Sequence, residues 1–130
     1  MISILYIAIG GALGAVARYG LTQASLRMFG PSFPVGTMSA NVLGSFLMGL
    51  LAGYILTKTS GVSESLRLFL GVGLLGGFTT FSAFSLDSFI LLEKKAYGAF
   101  FGYVGGSVII ALAALALGLW AAKAVFAGGS

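Results

Sequence analysis

The sequence predicts an all-α integral membrane protein of four transmembrane helices, the third of them broken near Gly76–Thr80. Three observations carry that fold class. The chain is 58% apolar and only 8% charged, with a mean hydropathy of +1.08. Four apolar runs are each long enough to cross a hydrocarbon core of ~30 Å. The third run is interrupted by Gly76–Ser85, which reads GGFTTFSAFS. Soluble domains carry roughly a quarter charged residues, so this chain has no means of building a water-facing surface.

The same inventory excludes whole classes of function. There is no His and no Cys, and the carboxylates are Glu64, Asp87 and Glu93 alone. The commonest general base, the thiol nucleophile and the soft metal ligands are therefore missing, and the chain is not expected to be an enzyme. The net charge of +4 comes from seven Lys and Arg spread over the whole chain. They form no basic patch, so nucleic acid is not an expected partner; headgroup anchoring at helix ends accounts for them. Gly10-x-x-x-Gly14 and Gly71–Gly77 lack the lysine of a phosphate loop.

The first span starts at Ile2–Ala17. Ala15-Val16-Ala17 imitates a leader cleavage site, but no basic residue precedes the apolar run, which continues into helix-compatible sequence. Arg18 lies about 24 Å along the helix from Ile2, near the far edge of the core. It is either a snorkelling anchor or a fixed cation at the mouth of an anion path. Tyr19–Phe29 is more polar and suits an interfacial extension, and the prolines of Gly30–Pro34 mark a loop.

The second span is Val35–Thr57. Thr37, Asn41 and Ser45 recur at i, i+4, i+8 and share one helix face. Asn41 is the only asparagine; inside a bilayer its amide serves either as interhelical glue or as a donor facing a pore. Gly49-x-x-x-Gly53 offers a close-packing face. Lys58–Arg67 is the wet loop, with Ser63 a candidate helix cap.

In the third span, Leu66–Leu92, the Gly76-Gly77 pair weakens the helix by roughly 1 kcal/mol per glycine. Thr79 and Thr80 follow, with hydroxyls that bond the backbone in competition with the helix. Lipid satisfies no freed amide or carbonyl, so a break there survives only against protein, water or an ion. The alternative is a kink with no ligand. Phe81 and Phe84 lie at i, i+3, with Ser82 and Ser85 beside them. Core packing is the ordinary fate of such a pair, although four hydroxyls between Thr79 and Ser85 are unusual company. The fourth span, Tyr97–Phe126, carries Gly98, Gly102 and Gly106 as a close-packing stripe and Tyr103 and Ser107 on one face. Trp120 and Lys123 anchor its end. Residues 1–130 form one domain.

Four spans put both termini on one side, with Lys58, Arg67 and Lys123. Arg27, Lys94 and Lys95 occupy the other. With Arg18 set aside at a span edge the count is three against three. Counting it makes three against four, so there is no strong bias of orientation. Four short helices also enclose little space. Together these features imply an antiparallel homodimer with its two-fold axis in the membrane plane.

GGALGAVARY (Gly10–Tyr19), GTMSANVLGSFLMG (Gly36–Gly49) and GGFTTFSAFS (Gly76–Ser85) resemble, in order and at matching spacing, the CrcB/Fluc fluoride channels. The resemblance covers essentially the full length. It implies a dual-topology dimer in the cell's inner membrane, with two antiparallel fluoride pathways and a structural sodium ion at the dimer axis. Carried over, Asn41 would point its amide into the pathway, and Phe81 and Phe84 would offer their positive ring edges. The backbone carbonyls of Gly76 and Thr79 would hold the sodium. Thr37, Thr80, Ser82, Tyr103 and Ser107 would add hydroxyls along the way, and Arg18 would sit towards a vestibule. Two departures from the family pattern stand out: Ala83 replaces the usual threonine, and Asp87 the usual glutamate. Two other readings compete. A small multidrug exporter needs a carboxylate in its first helix, which is absent here. A non-transporting scaffold would leave the polar face of Asn41 without purpose.

Overall fold

The computed structural model describes residues 2–30, 33–57 and 64–128. Helix α1 (Ile2–Phe29) runs unbroken through both the apolar start and the polar extension. It stops at Gly30, whose φ of 78° lets its N–H turn back 2.9 Å to the Leu26 carbonyl. That left-handed C-terminal cap is a geometry glycine adopts without Cβ strain. Helix α2 (Val35–Thr57) starts directly after Pro34, matching the boundaries read from the sequence.

The third span is built in pieces. Helix α3 (Glu64–Arg67) leads into a π-helical stretch, Leu68–Leu75, and then into the short α4 (Gly76–Phe78). Residues 64–78 thus form one continuous half-helix. The expected wet loop is therefore helical from Glu64 onward, while Lys58 and Ser63 lie outside the described residues. Thr79 and Thr80 are extended, with φ/ψ of −86°/157° and −155°/127°. Helix α5 (Phe81–Glu93) then restarts the span. It ends in a turn where Lys95 takes a φ of 59° and Ala96 bonds back to Leu91 at 3.0 Å. Helix α6 (Tyr97–Gly128) is the fourth span. Among the described residues four stretches are long and apolar enough to cross a membrane: Ile2–Phe29, Val35–Ile55, Ser65–Glu93 and Tyr97–Val125.

The break falls at Thr79–Thr80, inside the Gly76–Thr80 bounds read from the sequence, at the threonines and not at the glycine pair. Gly76 and Gly77 are helical, and Gly77 has a packing reason to be glycine. A Cβ there would lie 2.5 Å from the Gly11 carbonyl oxygen of α1. The opposing Gly14 is as tight, since its Cβ would collide with the Leu74 carbonyl and the Phe78 amide. Glycines on both sides let α1 and the half-helix touch backbone to backbone, where dispersion contacts replace the hydrophobic effect that lipid cannot supply. Gly49 and Gly53 of α2 meet α6 in the same way at Leu115, Leu119 and Ala122, as the sequence suggests.

The chain is therefore two tightly paired units. Helix α1 lies on residues 68–78, α2 lies along α6, and α5 leans chiefly on α6. The stripe on α6 departs from expectation. A Cβ on Gly98 or Gly102 would meet nothing within 4 Å, and only Gly106 touches a neighbour, Met38. Among the described residues nothing covers Gly98 and Gly102, at the start of that face.

Alanine at Gly77 should cost about 1–3 kcal/mol through forced separation of the two backbones. Alanine at Gly20, which has open space around it, should be neutral or stabilise by up to about 1 kcal/mol through helix propensity. Thermal unfolding of both variants in detergent checks the contrast.

Candidate functional site

Breaking a helix at Thr79–Thr80 frees amides and carbonyls that lipid cannot satisfy, and side chains answer them one by one. The Asn41 carboxamide brackets Thr80. Its Nδ2 donates to the Thr80 carbonyl at 2.9 Å, and its Oδ1 accepts from the Thr80 N–H at 2.7 Å. Thr79 donates from both its amide and its hydroxyl to the Leu75 carbonyl, each at 3.0 Å. The Thr80 hydroxyl caps α5 by accepting from the Ala83 N–H at 3.2 Å, and it shares a bond with Ser82. Ala83 thus contributes its backbone to the cap. One turn beyond Asn41, Gly44 leaves room for Thr79: a Cβ there would strike the Thr79 methyl and lie 3.3 Å from the Phe78 ring.

These residues open onto a cavity of about 340 Å³. Asn41, Ser45, Thr79, Thr80 and Ser107 are its polar residues, Phe81 and Phe84 give it rings, and no charged residue lines it among the described residues. Ser107 is buried, and its hydroxyl has no hydrogen-bond partner among the described residues. Phe81 is 78% exposed, so core packing within the chain is not its role.

A file of rings leads away from the cavity. The centroids of Phe81 and Phe84 are 5.7 Å apart, those of Phe84 and Tyr103 5.2 Å, and those of Tyr103 and Phe33 5.5 Å at an interplanar angle of 89°. Tyr103 is fully buried, and its hydroxyl donates to Asp87 at 3.4 Å. Asp87 belongs to a second cavity of about 200 Å³, where Thr22, Ser25, Thr37 and Phe33 surround it. Tyr103 stands at the junction: its ring meets Phe84 of the first cavity and its hydroxyl meets Asp87 of the second.

Asn41, Thr80, Phe81, Phe84 and Ser107 of the sequence reading thus come together on one cavity, with Thr37 on the next and Tyr103 joining them. Ser82 is exposed and touches the site through Thr80. Arg18 lines neither cavity; its Nε lies 3.5 Å from the Gly77 carbonyl oxygen. Gly76 is on an exposed face, and its carbonyl and that of Thr79 accept none of the hydrogen bonds that close the break. Sequence reasoning missed Phe33, Gly44 and the Asp87 link to Tyr103. Asp87 was legible in principle, because it sits at i+3 from Phe84 on the same helix face.

Replacing Asn41 by Leu should strand both polar groups of Thr80 at a cost of about 1–3 kcal/mol each. Aspartate at the same place would face the Thr80 carbonyl with an acceptor, so it should destabilise the break as well as add charge to the cavity. Thermal unfolding compared with Ser45→Ala, which touches the same cavity without bracketing the break, checks both.

Comparison with known proteins places the chain in a family. The family model for CrcB-like protein, Camphor Resistance (CrcB), matches residues 5–119. A protein of Phenylobacterium zucineum named fluoride-specific ion channel FluC is 54% identical over 127 residues, covering 98% of this chain and 100% of its own length. A Caulobacter vibrioides protein of the same name is 49% identical over 127 residues, with the same coverage. One from Cereibacter sphaeroides is 51% identical over 121 residues, covering 93% of this chain and 94% of its own. The four spans, the bracketed break and these matches have one explanation: the chain belongs to the CrcB family.

Proposed function

We propose that this multi-pass membrane protein is a fluoride-selective passive channel of the plasma membrane that lowers cytoplasmic fluoride. The observation that carries the reading is one cavity that gathers the Asn41 amide, the hydroxyl residues Ser45, Thr79 and Thr80 and the rings of Phe81 and Phe84, with no charged residue among the described ones that line it. The Ser107 hydroxyl, buried and without a partner among the described residues, belongs to the same wall. Fluoride is small and strongly hydrated. A path for it must replace water with several weak donors and still release the ion. Hydroxyls, one amide N–H and aromatic edges, which are positive where the faces are negative, meet that requirement. No lysine or arginine lines the cavity to hold the ion too tightly. The names of the relatives point the same way.

Asn41 serves two ends in this reading. One N–H and the carbonyl of its amide hold Thr80, and the second N–H is the donor available to an anion. The file Phe81–Phe84–Tyr103–Phe33 then carries the path toward the Asp87 cavity.

The working form is an antiparallel homodimer with two pores. Support comes from the near-equal Lys/Arg count on the two sides, Gly98 and Gly102, which no described residue covers, and the exposed Phe81. The break also suits a structural sodium ion. Among the described residues no cluster of acidic or imidazole groups is present to hold a metal, so neutral carbonyl oxygens are the donors on offer. Gly76 and Thr79 would contribute theirs, with those of a second copy, and the ion would supply the positive charge that holds the two breaks together.

A negative cell interior drives an anion outward by about 2.3 kcal/mol per charge per 100 mV. Fluoride that enters as uncharged HF and dissociates inside can therefore leave without ATP or a coupled proton. Liposomes holding the purified protein should release fluoride and retain chloride, with a reversal potential that ignores proton and sodium gradients; a potential tracking either would identify an exchanger or cotransporter. Phe81→Ile and Phe84→Ile keep bulk but lose the positive edge, and each should slow efflux by about tenfold while leaving folding largely intact. Site-specific labelling in native membranes should find the termini on both sides, and labelling from one side alone would remove the antiparallel dimer.

A further inference from the structure

We propose that Arg18 is a positioning residue that caps the C-terminal end of the half-helix 64–78 and so holds the Thr79–Thr80 break open. The inference rests on the reading of that break as the working part of a channel, and it assigns Arg18 a place in the frame of the path.

The register of α1 delivers the side chain. Gly10, Gly14 and Arg18 lie at i, i+4, i+8 on one face. The two glycines press so closely on residues 69–78 that a Cβ on either would collide with that backbone. The next residue on the face therefore arrives at the end of the half-helix, and the Arg18 Nε is 3.5 Å from the Gly77 carbonyl oxygen. A helix C-terminus carries about half a negative charge and carbonyls without intrahelical donors. In hydrocarbon no water answers them. Leu75 is answered by Thr79, and Thr80 by Asn41. Arg18 answers Gly77 from the α1 side, whereas Gly76, one residue earlier, is exposed on the open side. The cap thus fixes the half-helix end from behind and leaves the open side for whatever the carbonyls of Gly76 and Thr79 bind.

Hydrogen–deuterium exchange of the reconstituted protein, followed on peptides covering residues 77–81, tests the cap directly. Arg18→Met removes both the charge and the donor while keeping an unbranched chain. Arg18→Lys keeps the charge but puts a methylene where the Nε–H stands. Exchange should rise about tenfold in R18M and by a smaller factor in R18K. In parallel, thermal stability is titrated with sodium at constant ionic strength, N-methylglucamine replacing the ion; the sodium midpoint of R18M should move to about tenfold higher concentration. If Arg18 only attracts fluoride by its charge, R18K will match the original protein. R18M will then lose efflux at low ionic strength alone, with exchange unchanged, and the proposal is overturned. Should R18M not fold, R18K decides alone: unchanged exchange sinks the cap, raised exchange supports it. A wild-type stability indifferent to sodium would remove the sodium site from the proposed function while leaving the exchange result to judge Arg18.

Discussion

The pairing of the Asn41 carboxamide with both backbone groups of Thr80 lets a helix stop and restart within a membrane. A peptide group has one donor and one acceptor, and a primary amide presents the complement of each, so one side chain does what a neighbouring strand does in a sheet. Without it, the extended residues would carry open polar groups into hydrocarbon, at several kcal/mol apiece. The restart at Phe81, the aim of Phe81 and Phe84 and the shape of the cavity all follow from where that pairing puts Thr80. Gly44 belongs to the same device, because α2 must come close enough for Asn41 to reach.

The two kinds of close helix contact divide the labour. Where glycines face each other across α1 and the half-helix, backbone meets backbone and the register is set by shape alone. Along α2 and α6, the glycines Gly49, Gly53 and Gly118 do the same over a longer seam. Polar side chains sit where the two units meet, at Asn41, Thr79 and Thr80, so the seams give rigidity and the junction gives chemistry.

Much of this was legible in the residues. Span lengths and the α2 boundaries follow from apolar runs and prolines, because bilayer thickness leaves little choice. The polar face Thr37–Asn41–Ser45 follows from helical spacing. The break was legible to within Gly76–Thr80, but not which of those residues leave the helix, since a glycine pair marks both a weak helix and a close approach, and only the facing α1 decides between them. The π-helical stretch Leu68–Leu75 has no periodic signature in an all-apolar run. Phe33 sits in a proline-bounded turn, where nothing in sequence ties it to Tyr103. The Gly98–Gly102 stripe reads as packing but finds no neighbour among the described residues, because sequence shows a face and never who covers it.

The pairing pattern also bears on how the chain is made. Helix α1 finds its main partner in the third span and α2 finds its own in the fourth. As the polypeptide leaves the ribosome, the first two helices therefore enter the membrane without the contacts that will define them. Each must wait until a helix synthesised much later arrives, since neighbours in sequence are secondary neighbours in space. The early spans have only hydrophobicity and their lesser contacts with each other to hold them, and most tertiary order comes in a late step, once α6 has been inserted and α2 can close along it.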